Sequence, residues 1–296
     1  MKRVLLTGAT GFIGRACLEP LRARGYEVHA VAHTHAGDAP VTWHHADLLV
    51  PGAARSLVAT IAPTHLLHLA WYAAPGKYWT SPLNLAWVRA SIELYEAFVV
   101  TGGTRVVIGG TAAEYDWAAG TLDERTTPLA PTTYYGTCKR ALGDVIAAAA
   151  AADGTSAAWA RFFFLYGPQE YPERLIASVI RELLQGSVAR CSSGTQQRDF
   201  LHVADAAEAT VALLDSPVTG PVNIASGRAV TVSSLVGEIE RAIARGRVEL
   251  GALPADPVPL ITAATHRLRD EVGFAPVVDH PRRLAETIAW WREHMQ

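Results

Sequence analysis

Short, wholly apolar runs alternate along the chain with longer stretches in which apolar positions recur every three to four residues, the pattern of buried strands separated by amphipathic helices. Val4, Leu5 and Leu6 predict a first strand. Phe12, Ile13, Ala16, Cys17 and Leu21 then fall on one face of a helix from Gly11 to Arg24, which Gly25 ends as a C-cap would. Val28 to Ala32 predicts a second strand, His44 to Leu48 the end of a third, Leu66 to Ala70 a fourth and Arg105 to Ile108 a fifth. Between the last two, Leu85, Val88, Ile92, Tyr95 and Val99 mark a helix from Leu83 to Val100. Another helix starts near Tyr135, absorbs the alanine run Ala147 to Ala152 through high helix propensity, and stops at Asp153-Gly154. Trp159 to Leu165 predicts a sixth strand, halted by Tyr166-Gly167-Pro168.

Strands alternating with helices imply an α/β fold with a doubly wound parallel sheet. Past Gly167 the regularity weakens into Pro- and Gly-rich loops with short helices near Leu175 to Leu184, Val232 to Ile243 and Leu284 to Glu293, the pattern of a smaller C-terminal lobe. Composition narrows the chemistry. The 296 residues, half of them hydrophobic, suffice for a full core, and a net charge of −2 offers no surface for nucleic acid or an anionic membrane. Three scattered cysteines suit a reducing compartment, and no apolar run approaches membrane-spanning length. The expectation is a soluble cytoplasmic enzyme acting on a small molecule. Eleven histidines, among them His33, His35, His44 and His45, lack ligand spacing with Cys or Asp, so no metal is expected.

Three short motifs carry candidate chemistry. Thr7-Gly8-Ala9-Thr10-Gly11-Phe12-Ile13-Gly14 joins strand to helix: Gly8 permits a tight turn, Gly11 lets a pyrophosphate approach the helix N-terminus, and Gly14 allows close packing. A glycine triplet can also be an ordinary turn, but this context favours a dinucleotide cradle. Tyr135-x-x-x-Lys139 places a phenol and an ammonium on one helix face. Bringing a tyrosine from a pKa of about 10 to neutrality takes roughly 4 kcal/mol. A lysine charge about 5 Å away at an effective dielectric of about 20 supplies roughly 3 kcal/mol. Thr111, just after the fifth strand, stands where such sheets bind ligands, or serves as a helix N-cap. The aromatic loop Trp71-Tyr72, Lys77-Tyr78-Trp79 is equally consistent with walling a substrate and with packing against the lobe.

Cradle, Thr111 hydroxyl and Tyr135/Lys139 pair, in that order along the chain, resemble the extended short-chain dehydrogenase/reductases, the nucleotide-sugar epimerases, dehydratases and reductases. The resemblance extends through His68-Leu69-Ala70, Asn84, Arg161 to Pro168, Arg198 to Asp205 and Val222 to Gly227. It implies a Rossmann sheet over residues 1–166 and 198–226, with a substrate-binding lobe over 167–197 and 227–296. Thr111, Tyr135 and Lys139 are then the catalytic residues. Gly8, Thr10, Gly11, Phe12, Ile13, His33, Asp47, Leu48, Leu69 and Ala70 join Tyr135 and Lys139 in holding the cofactor. Tyr72, Thr111, Ala112, Arg174 and Arg198 contact a nucleotide sugar, Arg198 at its pyrophosphate through a guanidinium fork. The resemblance further implies a homodimer formed through the two long helices.

Departures from the pattern shape the reading. Phe164 stands where an asparagine usually lies near the substrate phosphates, and Ala112-Ala113 replaces the Asp-Glu of the dehydratases, removing the proton donor for water elimination. Glu114 before Tyr115 resembles reductases of 4-keto-6-deoxy nucleotide sugars. Ala32-His33-Thr34-His35 ends the second strand without the carboxylate that would select NAD, so NADP(H) is favoured and NAD(H) possible. The leading expectation is an NADPH-dependent nucleotide-sugar ketoreductase. The alternatives are an epimerase with tightly held NAD, a non-catalytic dinucleotide sensor, and a reductase of a non-sugar ketone or thioester.

Overall fold

The structure, a computed structural model, describes residues 2–34 and 37–295. His35 therefore lies outside the described residues. In chain order the first half comprises β1 (Arg3–Thr7), α1 (Phe12–Ala23), β2 (Glu27–Ala32), β3 (Thr42–His45), α2 (Ala53–Ile61), β4 (His65–His68), α3 (Leu83–Val100), β5 (Arg105–Thr111), β6 (Thr121–Leu122) and α4 (Tyr134–Asp153). Then follow β7 (Ser156–Phe162), β8 (Phe164–Tyr166), α5 (Leu175–Leu184), β9 (Val188–Arg190), β10 (Gln197–His202), α6 (Val203–Asp215) and β11 (Gly220–Ile224). The chain ends with β12 (Ala229–Thr231), α7 (Val232–Ile243), β13 (Arg247–Glu249), β14 (Leu260–Ala263) and α8 (His280–His294).

The uniformly apolar runs form a seven-stranded sheet in the order β11-β7-β5-β4-β1-β2-β3, every pair parallel. Strands covered on both faces need apolar residues at successive positions, which is why these runs do not alternate. Along β1, Val4 and Leu6 face one core with Leu18, Leu21, Ala206 and Leu213 of α1 and α6. Leu5 faces the other, with Leu57, Leu94, Phe98 and Leu142 of α2, α3 and α4. The strand order reverses between β1 and β4, which opens a crevice at their C-terminal ends.

A second sheet runs β12-β10-β14-β6, with β8 also paired to β10. Behind it, Ile180 and Leu183 of α5, Val236 and Ile239 of α7, and Ile288 and Trp291 of α8 form a separate core. Two findings depart from the sequence pattern. The expected sixth strand is two: β7 ends at Phe162 in the main sheet, and β8 pairs with β10 in the other. Its apolar run carries no change of period to mark the switch. Residues 198–202, grouped above with the main sheet, belong to β10 and so to the second one, whereas α6 and β11 return to the main layer. Among the described residues no helix is long and apolar enough to cross a membrane.

Candidate active site

Gly8 adopts φ +72°, and a Cβ there would lie 2.7 Å from the backbone of Leu69 and Ala70. At Gly14 it would lie 2.1 Å from the Gly8 carbonyl, so the first turn of α1 rests directly on the loop. Gly11 heads α1 without a capping side chain. The N–H groups of Phe12 and Ile13 therefore suit an anion at the helix N-terminus, and the cradle fits a dinucleotide pyrophosphate. Beside them, the Thr10 carbonyl accepts from Arg15 at 2.7 Å. Ala70 N–H donates to Thr7 Oγ1 at 3.3 Å, and that oxygen lies 2.6 Å from His68 Nδ1. The His68 Nε2 lies 2.8 Å from Ser91 Oγ, and burial lowers this imidazole's pKa to about 3, so it is a neutral strut. At the far side of the crevice, His33 Nε2 lies 3.4 Å from Asp47 Oδ2, while Asp47 Oδ1 accepts from Leu49 N–H and Leu48 is buried.

Thr133 caps α4 by accepting from Gly136 N–H at 3.0 Å, which places Tyr135 on the first turn and Lys139 one turn later. Lys139 Nζ donates to the Gly109 carbonyl at 2.6 Å and sits 3.7 Å over the Trp71 ring. Burial drives its pKa down to about 7. Burial pushes the pKa of Tyr135 well above the ordinary phenol range, with the Thr111 hydroxyl pulling the other way. Desolvation penalises the tyrosinate and the ammonium alike, raising the pKa of Tyr135 and lowering that of Lys139. Thr111 caps the short turn Ala112–Glu114, its Oγ1 accepting from Ala113 N–H at 3.2 Å.

The aromatic loop surrounds the tyrosine itself. Tyr78, Trp79 and Trp71 stand edge-on to Tyr135 with ring centroids 4.9, 5.8 and 6.4 Å away. Spacing alone held no sign of this, because the loop has no period. Tyr72 is half-buried next to Trp71. Glu114 is wholly engaged below the site, accepting from Thr111 N–H at 2.7 Å, from Trp159 Nε1 at 2.9 Å and from Arg161 Nε at 2.8 Å. Ala112 is buried, its carbonyl accepting from Trp117. Arg174 precedes α5 and stacks 5.9 Å from the Tyr78 ring. Arg198 does not present a free fork. Only 3% exposed, it pairs with Asp256 at 2.8 Å, donates to the carbonyls of Gln197 and Val258, and lies over Phe164. A pairing with the adjacent Asp199 is also absent, that carboxylate being spent on Ser226, Gly227 and Ala263.

The family model described as the NAD dependent epimerase/dehydratase family matches residues 4–225. Among solved structures, MoeE5 in complex with UDP-glucuronic acid and NAD is 31% identical, with a TM-score of 0.85 over 98% of this chain and 99% of that one. A dTDP-glucose 4,6-dehydratase of Streptomyces griseus is 28% identical, the match covering 98% of this chain and 94% of the relative. The UDP-N-acetylglucosamine 4-epimerase from Methanobrevibacter ruminantium M1 shares the fold, with a TM-score of 0.89 at 22% identity over 99% of both chains.

Proposed function

Because the chain belongs to the NAD dependent epimerase/dehydratase family, we propose that it reduces a keto group on a nucleotide-activated deoxysugar, with NADPH as the reductant. The observation that carries this reading is the setting of Tyr135, on the first turn of α4 with Lys139 one turn later and the rings of Tyr78, Trp79 and Trp71 edge-on around it. Burial raises the pKa of this phenol, which suits it to donate a proton to a carbonyl oxygen accepting hydride. Thr111 bonds the same oxygen, and Lys139 holds the nicotinamide ribose beside Leu69 and Ala70. Elimination is disfavoured because Glu114 is locked by three partners and Ala112-Ala113 offers no acid. The dinucleotide supplies the hydride when bound. Gly8, Thr10, Gly11, Phe12 and Ile13 take its pyrophosphate, and His33, Asp47 and Leu48 its adenosine. NADP(H) is favoured because Ala32, His33 and Thr34 bring no carboxylate to the end of β2.

On this reading the second sheet and its helices form the substrate lobe, which contributes Arg174 and Arg198 to a pocket completed by Tyr72 and Ala112. Arg198 reaches a diphosphate by exchanging Asp256 for it. The enzyme works in the cytoplasm as a homodimer joined through α3 and α4, where Leu85 and Val145 stand exposed. A second reading, an epimerase that retains NAD, is favoured by the NAD and UDP-sugars held by MoeE5. The two separate on cofactor turnover. The purified protein should be largely free of bound dinucleotide and should consume NADPH stoichiometrically with a keto-deoxy nucleotide sugar. Tyr135→Phe should bind NADPH normally and lose most turnover. Copurified NAD, with interconversion of two nucleotide sugars and no added cofactor, would establish the epimerase instead.

A further inference from the structure

We propose that Tyr78 is a positioning residue for Tyr135, holding that ring edge-on and shielding its hydroxyl from water; this rests on the reading of Tyr135 as the proton donor. The loop that presents Tyr78 is anchored by four hydrogen bonds. Asn84, fully buried at the start of α3, accepts from Trp71 Nε1 at 2.9 Å and donates to the Tyr78 carbonyl at 2.7 Å and the Ser81 carbonyl at 3.0 Å. One residue on, the Trp79 carbonyl accepts from the Tyr135 N–H itself at 3.1 Å, tying the loop to the first turn of α4. The Tyr78 ring, 9% exposed, meets Tyr135 at 83° with centroids 4.9 Å apart, and Trp79 lies 4.3 Å from Tyr78 to close the wall. From the other side the Arg174 guanidinium lies 5.9 Å from the centroid of the Tyr78 ring. So much fixed structure around one ring exceeds what loop packing requires, and it converges on the group that moves the proton.

The groups that bear on the ionisation of Tyr135 come from four segments besides its own helix. Thr111 at the end of β5 and Arg174 before α5 favour the phenolate; burial, Tyr78 and Glu114 disfavour it. Lys139 lies a turn away on α4, and Arg174 in turn faces the buried Glu170 carboxyl. Removing Tyr78 admits water and deletes one opposing group, so both effects ease ionisation of Tyr135.

The test is the titration of Tyr135 itself, read from the ring-carbon resonance of isotopically labelled tyrosine and assigned by its loss in Tyr135→Phe. In Tyr78→Ala and in Trp79→Leu the midpoint should fall by on the order of one pH unit or more, whereas Tyr78→Phe, which keeps the shielding ring and loses only the opposing hydroxyl, should lower it by clearly less. The alkaline limb of kcat should move by the same amount while NADPH affinity stays within about twofold, a split that general loosening of the fold would not give. Trp79→Leu keeps the test open should Tyr78→Ala fail to fold. An unmoved Tyr135 midpoint in the folded variants overturns the proposal. A moved midpoint with an unmoved rate profile upholds the positioning and removes Tyr135 as the proton donor.

Discussion

Glu114→Gln distinguishes a strut from a catalytic acid. Its two oxygens receive Thr111 N–H at 2.7 Å, Trp159 Nε1 at 2.9 and 3.0 Å and Arg161 Nε at 2.8 Å, so every neighbour is a donor. An amide has one accepting oxygen. Whichever way it is turned, its NH2 group faces a donor, and Arg161, with 6% of its side chain exposed, loses its counter-charge in the core. Breaking one side of a buried pair costs about 3–5 kcal/mol. At about 2–4 °C per kcal/mol for a large domain, Tm should fall on the order of 10 °C. The double variant Glu114→Gln with Arg161→Met should regain part of that loss, because the stranded charge is gone. Calorimetry of the three proteins with and without NADPH gives the numbers, and steady-state kinetics should show only a moderate loss as Thr111 shifts. Unchanged Tm with abolished turnover would refute the strut and make Glu114 a group that exchanges protons with substrate.

At Gly14→Ala the new Cβ would meet the Gly8 carbonyl at 2.1 Å, so the cradle must move; dinucleotide affinity by calorimetry should weaken at least tenfold, and an unchanged Kd would refute the close packing. Lys139 should appear in the pH dependence of stability. Its folded pKa of about 7 lies below the ordinary 10.5, so the unfolded chain binds the extra proton between those values. Its penalty is full below about pH 7 and is relieved as pH rises toward 10.5, so the parent should gain Tm over that window relative to Lys139→Met. Parallel Tm profiles would show that Lys139 keeps its proton in the folded protein. Lys139→Met should also bind cofactor more weakly.

The main sheet was legible because strands covered on both faces leave an unmistakable run of apolar residues, and because Gly8, Gly11 and Gly14 mark a turn where side chains would collide. Tyr135 and Lys139 were legible as a pair from helical spacing. Their protonation was not, since it depends on Trp71, Tyr78 and Gly109, which approach them only in the fold. Which sheet a strand joins is equally hidden: Trp159 to Leu165 is one apolar run, yet the chain leaves the main sheet at Phe163. Arg198 shows a third limit, because its sequence setting beside Asp199 says nothing of Asp256, which takes the guanidinium from 58 residues downstream.

The passage of the chain back and forth between the two sheets bears on how new specificities arise on this framework. β11 completes the edge of the main sheet beyond β7, and α6 covers α1, yet both come after β8, α5 and β10 have been laid into the lobe. A graft made at one splice point near Tyr166 would carry off the closing strand together with the lobe, leaving the backbone of β7 unpaired and an apolar helix face bare. Exchange of the lobe between relatives therefore needs several simultaneous junctions. Variation confined to individual loops, such as the one bearing Tyr78 and Trp79, leaves the weave intact, and that is where divergence on this framework is cheapest.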